Sequence, residues 1–579
     1  MTISGNKSNN FLFVLLSLIS FSLILLLLKN FEIAILKNSF YRNMAYDNKI
    51  SKEIIFPERG LIYDRNGRVL AENIVVYTLE LNRNKVDIDN FKKLTGIEYS
   101  QDKAINEISR EEAIEIKSLN LDGVEIREVS RRSYPYKEIM AHILGYVGMA
   151  TSEDMKLDKT LDYNEKLGKN GVEAYYNDLL KGIKGEIYVE RNALSKIVDE
   201  YSSSRVDAVN GNNLILTIDI DFQKKLYSKI KEYSEKYRTK GGAGIIQDVN
   251  TGEILAMVSY PSYDNNLFVD GISSKEYTKL IEDSRSPLLN RAIAAQLPPG
   301  STFKIIVGAA GLETGSITPS TEFYSSGVIK LSGGMSFQEY ARKSYGSLNI
   351  KEALMVSSNI FFCRTMLRMK IEKFIAYADK FGVGKYTGID IFGEAKGRMP
   401  SPENKIWLAE NGATWLEPIW YPEGDSCNSA IGQGITLTTP IQLVNITSSI
   451  ANGGTVYRPR LLLKYVHNGR EIIMENEIKE KNFIKDTNLN IIREGMRASV
   501  IGGRGISTSL RHLPVSVAAK TGTAEFGKKD KYGYDQTHAW VVGFFPYEKP
   551  KYSFVILLEG GGSSSRASFL IRDFIRSIY

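Results

Sequence analysis

Leu297-Pro298-Pro299-Gly300-Ser301-Thr302-Phe303-Lys304-Ile305-Ile306-Val307-Gly308 is the stretch on which the reading of this chain turns. Two prolines and a glycine break the chain just before Ser301, and the apolar run over 302–312 that follows fits a helix. Ser301 therefore stands at a helix N-terminus, where unpaired N–H groups and the macrodipole favour a developing alkoxide. Lys304 falls one turn later on the same face, within reach of that hydroxyl. Phe303, Ile305 and Ile306 would strip water from its amine and lower its pKa, which makes a lysine usable as a base near neutrality. Taken alone, the same residues also fit a capping serine beside a solvated lysine.

Two further polar stretches follow in order. Ser357-Ser358-Asn359 comes after the helix-like run 350–356. A hydroxyl beside a carboxamide can relay a proton and hold a carbonyl, and a polar helix cap is the plainer alternative. Lys520-Thr521-Gly522-Thr523 interrupts the apolar strand 515–519. Glycine weakens a strand and marks a close approach by a ligand or another backbone. A lysine and two threonines beside it make a carboxylate clamp, against the alternative of an edge strand charged to resist aggregation. Nucleophile, base, proton relay and anion clamp thus occur in one order within the last 280 or so residues.

Working outward, residues 242–249 and 253–259 flank Asn250-Thr251-Gly252 and predict a hairpin, preceded by a strand over 214–218 and an amphipathic helix over 221–237. Strands are predicted again over 516–526, 538–545 and 552–558, and a closing helix over 567–578. Two strands in front, three behind and a helical block between predict one antiparallel sheet around a helical insertion, an α+β domain over 210–579. Upstream, Asp64-Arg65-Asn66-Gly67 marks a turn between strands at 61–63 and 69–70. Residues 85–140 carry no catalytic constellation, and the polar run 200–205 reads as a linker before a boundary near 210.

The chain has 579 residues, 43% hydrophobic and 24% charged, the composition of a folded protein of more than one domain. A net charge of +7, spread without long basic runs, suits work near an anionic polymer or lipid and equally a plain solvated surface. Nothing resembles a nucleic-acid module. Residues 11–28 hold no charge, Gly or Pro. At helical rise they span about 27 Å, close to a bilayer core. Lys29-Asn30-Phe31-Glu32 offers no small-residue cleavage site, so the segment reads as an uncleaved anchor behind a short tail, 1–10. Lys7 before it and Lys29 and Lys37 after it leave the orientation open.

The three motifs, in this order, resemble those of penicillin-binding proteins and serine β-lactamases. The likeness runs along nearly the whole chain. Arg59-Gly60 through Gly67, and Gly168-Lys169-Asn170-Gly171-Val172-Glu173 through Gly182, are similar to landmarks of the non-catalytic pedestal of class B penicillin-binding proteins. Pro287 through Ala292, Gly432-Gln433-Gly434 and His538 through Phe544 are similar to landmarks of their transpeptidase domain. The resemblance implies a β-lactamase-like domain, an antiparallel sheet covered by helices. It implies an elongated α+β pedestal or dimerisation domain over 40–208 and one N-terminal transmembrane helix.

The resemblance also implies the chemistry. Ser301 is the nucleophile on the penultimate D-Ala carbonyl of a peptidoglycan stem peptide, and Lys304 takes its proton. Ser357 with Lys520 shuttles a proton to the departing D-alanine. Asn359 holds the substrate amide, Thr521 and Thr523 flank Gly522 and bind the terminal carboxylate, and the N–H groups of Ser301 and Thr523 form the oxyanion hole. β-Lactams would acylate Ser301 by the same route, and no residue stands out as the deacylating Glu of class A β-lactamases. The implied setting is single-pass in the cell membrane with the catalytic domain outside, beside a membrane glycosyltransferase. An idle penicillin-binding scaffold and a hydrolytic carboxypeptidase or β-lactamase are the alternatives. The complete catalytic set argues against the first, and the pedestal and anchor against the second.

The chemistry itself requires no cofactor. Cys363 and Cys427 are the only cysteines. An exported pair invites a disulfide. If the family fold holds, Cys363, Asp425, Cys427 and His538 cluster near the active site. Two thiolates, a carboxylate and an imidazole would then close a tetrahedral structural zinc site. The resemblance to zinc-bearing members from anaerobes points the same way. Disulfide, zinc and free thiols all stay open from the sequence.

Overall fold

The computed structural model describes residues 6–42, 50–82, 84–99, 106–161, 165–191, 197–527 and 536–579. The chain divides into two compact units that do not follow chain order. One unit holds residues up to Glu58 together with Gly182–Gly211. It begins with the helix Asn6–Phe31 and a wider turn, Glu32–Leu36. Phe11–Leu36 is long and apolar enough to cross a membrane. The helix runs past the predicted end at 28 because neither Gly nor Pro interrupts Lys29-Asn30-Phe31. Ser17 inside it returns its hydroxyl to the Phe13 carbonyl at 2.8 Å, which satisfies the donor without water. The same unit contains an antiparallel sheet of Ile50–Ile55, Gly185–Arg191 and Ile197–Glu200.

The other unit holds Arg59–Lys181 and Asn212–Tyr579. The strand predicted at 214–218 appears as Asn213–Leu216. It pairs in parallel with Ile62–Tyr63 and antiparallel with Leu462–His467, so one sheet joins segments from both sequence regions. The predicted Asp64–Gly67 turn is present: Asp64 accepts the N–H groups of Asn66 and Arg68, and Gly67 takes a φ of +81°. The two upstream landmarks meet in space. Glu173, fully buried, pairs with Arg59 at 2.6 Å and Arg132 at 2.7 Å and accepts the Tyr134 hydroxyl. Burial alone would raise its pKa, but Arg132 and Arg59 outweigh that and hold the carboxyl below its ordinary value.

The main sheet has five antiparallel strands among the described residues. Their order is Ile254–Tyr260, Gly241–Asp248, Tyr552–Glu559, Thr537–Phe545 and Ala518–Glu525. This is the predicted arrangement of two front and three rear strands. Both faces are covered, which explains why the strands read as continuous apolar runs. Along Thr537–Phe545, Ala539, Val541 and Phe545 pack with Leu226, Ile230 and Phe574 from the helices Ile220–Tyr237 and Ser564–Ile578. Trp540, Val542 and Phe544 face the helical insertion instead. The same period of two on the edge strand Ala518–Glu525 puts Ala518 and Ala524 toward the insertion. Lys520 and Gly522 therefore point that way too.

At the centre of the insertion lies the helix Lys304–Glu313, in which residues 304–312 are all buried. A helix apolar all round has no solvent face, and this one carries none. Gly308 and Gly311 let Ile492, Ile350 and Thr365 close on it, since a Cβ at either would come within 3 Å of a neighbour.

Candidate active site

The three predicted motifs converge on the cleft side of the edge strand. Ser301 sits in a 3₁₀ turn, Gly300–Phe303, and the α-helix begins only at Lys304, two residues later than the sequence reading placed it. Gly300 takes a φ of +56°, and a Cβ there would stand 2.8 Å from the Thr523 carbonyl oxygen. Its N–H donates to the Gly432 carbonyl at 3.0 Å, so the Gly432-Gln433-Gly434 landmark buttresses the nucleophile turn. Trp540 adds a hydrogen bond from Nε1 to the Pro298 carbonyl at 3.0 Å. Gly522 behaves as its place in the strand predicts. A Cβ there would lie 2.7 Å from the Pro299 oxygen and 2.9 Å from Thr302 Cγ2. Edge strand and nucleophile turn thus run in backbone contact, and only glycine permits it.

Ser357 ends the helix Ile350–Val356 in the left-handed region, φ 60° and ψ 42°, and Asn359 opens the next helix, Asn359–Met369. A serine held in that conformation carries strain of order 1–2 kcal/mol, a common property of functional positions. In this conformation both its carbonyl and its hydroxyl meet the lysines. Lys304 Nζ donates to Ser357 O at 2.7 Å, to Asn359 Oδ1 at 2.7 Å and to Ser357 Oγ at 3.3 Å. Lys520 Nζ reaches the same Ser357 Oγ at 2.8 Å and the Thr521 carbonyl at 2.9 Å. The Lys304 amine thus engages the relay residues rather than Ser301, a difference from the direct Ser301 contact expected. Of the two threonines, Thr521 is buried and Thr523 is exposed.

Both lysines are wholly buried. Desolvation lowers Lys304 from 10.5 to about 7, against a weaker upward pull from Glu339. Lys520 falls well below its ordinary value, through desolvation first and the Lys304 charge second. Two amines sharing one hydroxyl in a dry pocket cannot both hold a proton easily, so a free base stands ready near neutral pH. A lysine whose pKa burial brings down toward neutrality, beside a serine turn, and a second amine bridged to it by a hydroxyl are the parts that acyl transfer needs.

The sequence missed one participant. Glu339, buried, accepts hydrogen bonds from Ser325 Oγ at 2.9 Å, from Ser358 Oγ, from Asn359 N and from Ile360 N at 3.1 Å. Its signal was slight: an acidic residue in a Ser/Gly-rich stretch without periodicity.

The proposed metal set does not assemble. Cys363 and Cys427 are joined as a disulfide, which leaves no thiolate to ligate a cation. Asp425 pairs with Lys405 at 2.7 Å and accepts the Tyr421 N–H. His538 accepts the Gly560 N–H at Nδ1 and stacks on Phe526. Among the described residues no group of three or more His, Cys, Asp or Glu side chains is disposed to hold a metal.

A fold of this plan with these side chains defines a serine acyl-transfer enzyme. Residues 242–575 match the penicillin-binding protein transpeptidase domain, and residues 54–216 match the penicillin-binding protein dimerisation domain. The chain belongs to the penicillin-binding protein transpeptidase family. It is 31% identical to the peptidoglycan D,D-transpeptidase MrdA of Escherichia coli K12, over 98% of this chain and 94% of that one. Among solved structures, the complex of penicillin-binding protein PBP2 with MreC from Helicobacter pylori contains a chain 29% identical to it, with a TM-score of 0.76. That match covers 92% of this chain and 98% of the other. A chain of a peptidoglycan synthase complex described for coordinating polymerisation and crosslinking is 27% identical, with a TM-score of 0.75 and 99% of both chains covered.

Proposed function

We propose that this D,D-transpeptidase forms its acyl-enzyme at Ser301, with Lys304 as the base and Ser357 and Lys520 as the relay. Ser301 Oγ attacks the penultimate D-Ala carbonyl of a stem peptide while its proton passes to the free amine of Lys304. The N–H groups of Ser301 and Thr523 take the negative charge that builds on the carbonyl oxygen. As the tetrahedral centre collapses, the C–N bond breaks, and the departing D-alanine amine receives a proton through Ser357 from the lysine pair. Asn359 holds the substrate amide. Thr523, open to the cleft, meets the terminal carboxylate with Thr521 behind it. An amine from a neighbouring strand then attacks the acyl carbonyl; its proton passes through Lys304 to Ser301 Oγ as the ester C–O bond breaks, and the cross-link is complete. β-Lactams enter by the first of these steps.

The observation that carries this reading is the meeting of Lys304 and Lys520 on one Ser357 hydroxyl, at 3.3 and 2.8 Å. The apolar helix Asn6–Phe31 anchors the chain in the cell membrane, with the catalytic unit outside, where the stem peptides are. A membrane glycosyltransferase is the fitting partner, since a chain similar to this one belongs to a peptidoglycan synthase complex that coordinates polymerisation and crosslinking. The test is labelling with fluorescent penicillin. Wild type is labelled and Ser301→Ala is not. With a muropeptide donor and acceptor, wild type yields the cross-linked dimer. Labelled Ser301→Ala, or hydrolysis with no dimer, would overturn the proposal.

A further inference from the structure

We infer that Glu339, with the Gln338 carbonyl beside it, is a positioning residue of the transfer reaction, setting where Ser358 and the Asn359 carboxamide stand against Lys304. The inference rests on the acyl-transfer reading above. Its starting point is an anomaly. Glu339 is 2% exposed, and the hydrogen bonds it accepts come from hydroxyl and backbone N–H donors rather than from a Lys or Arg. A buried carboxylate without a cation is costly unless hydrogen bonds replace its hydration. Here four do.

Three of those four come from Ser358, Asn359 and Ile360, consecutive residues at the head of the helix Asn359–Met369. A simple cap would not need Glu339, because Ser358 already accepts the Phe361 N–H at 3.1 Å. Glu339 takes the remaining free donors, Asn359 N and Ile360 N, and clamps the Ser358 hydroxyl as well. The neighbouring residue completes the device. Asn359 Nδ2 donates to the Gln338 carbonyl at 3.0 Å, which leaves Oδ1 to face Lys304 Nζ at 2.7 Å. Were the amide turned over, its N–H donors would confront the donors that Lys304 Nζ directs at it. The strand Ser336–Gln338 and Glu339 after it therefore decide which end of Asn359 meets the base.

The placement also has an electrostatic consequence. The titratable groups facing Lys304 are Lys520 on the edge strand and Glu339; the two helices that meet at Ser357–Asn359 present only neutral groups there. Facing Glu339 are Lys304 and Tyr345. Glu339 favours the charged form of Lys304. Removing its charge should release the Lys304 proton at lower pH.

The experiment is the rate of acylation by fluorescent penicillin as a function of pH, with thermal melting to verify folding. In Glu339→Gln one oxygen becomes an NH2 group, directed at the Asn359 N–H. The plateau rate should fall roughly tenfold or more, since small misplacements at a reacting centre cost that much. The acid limb should move to lower pH. A residue that merely supports the fold would lower the melting temperature and leave the limb in place, and that result overturns the inference. Should Glu339→Gln fail to fold, Glu339→Asp keeps the charge but withdraws it by one methylene. It should hold the limb at the wild-type pH with the plateau down by a similar factor, and an unchanged plateau overturns the inference. Absence of any wild-type acylation at Ser301 would instead sink the functional reading itself, so the two failures are distinct.

Discussion

Replacing Lys304 by methionine should abolish acylation and yet make the folded protein more resistant to heat below neutral pH. In the unfolded chain this amine keeps its proton up to 10.5, whereas burial in the cleft brings it to about 7. Folding at a pH below 7 must therefore either bury an ammonium or discharge it. A fall of about 3.5 in pKa, at about 1.36 kcal/mol for each unit, puts that cost at about 5 kcal/mol. The sign follows from the folded value lying below the unfolded one. The cost is full below about 7, shrinks as the pH climbs from there toward 10.5, and vanishes above. Methionine has nearly the same volume and nothing to protonate. It forfeits the bonds to Ser357 O, Asn359 Oδ1 and Ser357 Oγ. At about 1 kcal/mol each the loss is about 3 kcal/mol. The net gain on the acid side is then about 2 kcal/mol, or a few degrees in melting temperature for a domain of this size. Lys520 adds to it, because the Lys304 charge is one of the two causes that depress its pKa. Calorimetric melts of wild type and Lys304→Met, well below pH 7 and again near pH 10, measure the effect directly. The gap should be wide in acid and narrow in alkali. A variant that melts lower in acid, or a gap that ignores pH, would refute the claim that this lysine is held discharged against its solution preference.

Gly522→Ala should lower the acylation rate roughly a hundredfold, since its Cβ would press on Pro299 and Thr302 and part the edge strand from the nucleophile turn; an unaffected rate would deny that contact. The disulfide closes a loop with a sequence separation of 64. Chain entropy assigns such a loop about 4 kcal/mol, so a reductant, or Cys363→Ser with Cys427→Ser, should lower the melting temperature. A chelator should leave it unchanged, and the converse pair of results would restore the zinc set of Cys363, Asp425, Cys427 and His538.

What the sequence disclosed follows from the range over which each feature is encoded. The edge strand was legible because an apolar run interrupted by one glycine is a local signal, whereas the face taken by Lys520 and Gly522 came only with the packing of Ala518 and Ala524. The Asp64–Gly67 turn was legible for the same reason: its hydrogen bonds close within four residues. The meeting of Lys304, Ser357 and Lys520 was not local, and only the order of three motifs and their family likeness carried it. What stayed hidden is a third kind of information. Nothing in Phe337-Gln338-Glu339-Tyr340 marks a buried carboxylate, because the four donors that make it tolerable come from Ser325 and from Ser358–Ile360. The same gap left the reading of Cys363, Asp425, Cys427 and His538 open between disulfide, zinc and free thiols. Residue types suited to zinc were present, but Lys405 claims the aspartate and the Gly560 N–H claims the histidine. Lys304 shows how far such information matters. Its apolar neighbours predicted a discharged base, yet the direction of its amine depends on a strained Ser357 and on an asparagine oriented by the Gln338 carbonyl. A chain can therefore advertise its nucleophile and its base in short motifs, while the groups that aim them are recorded only in the fold.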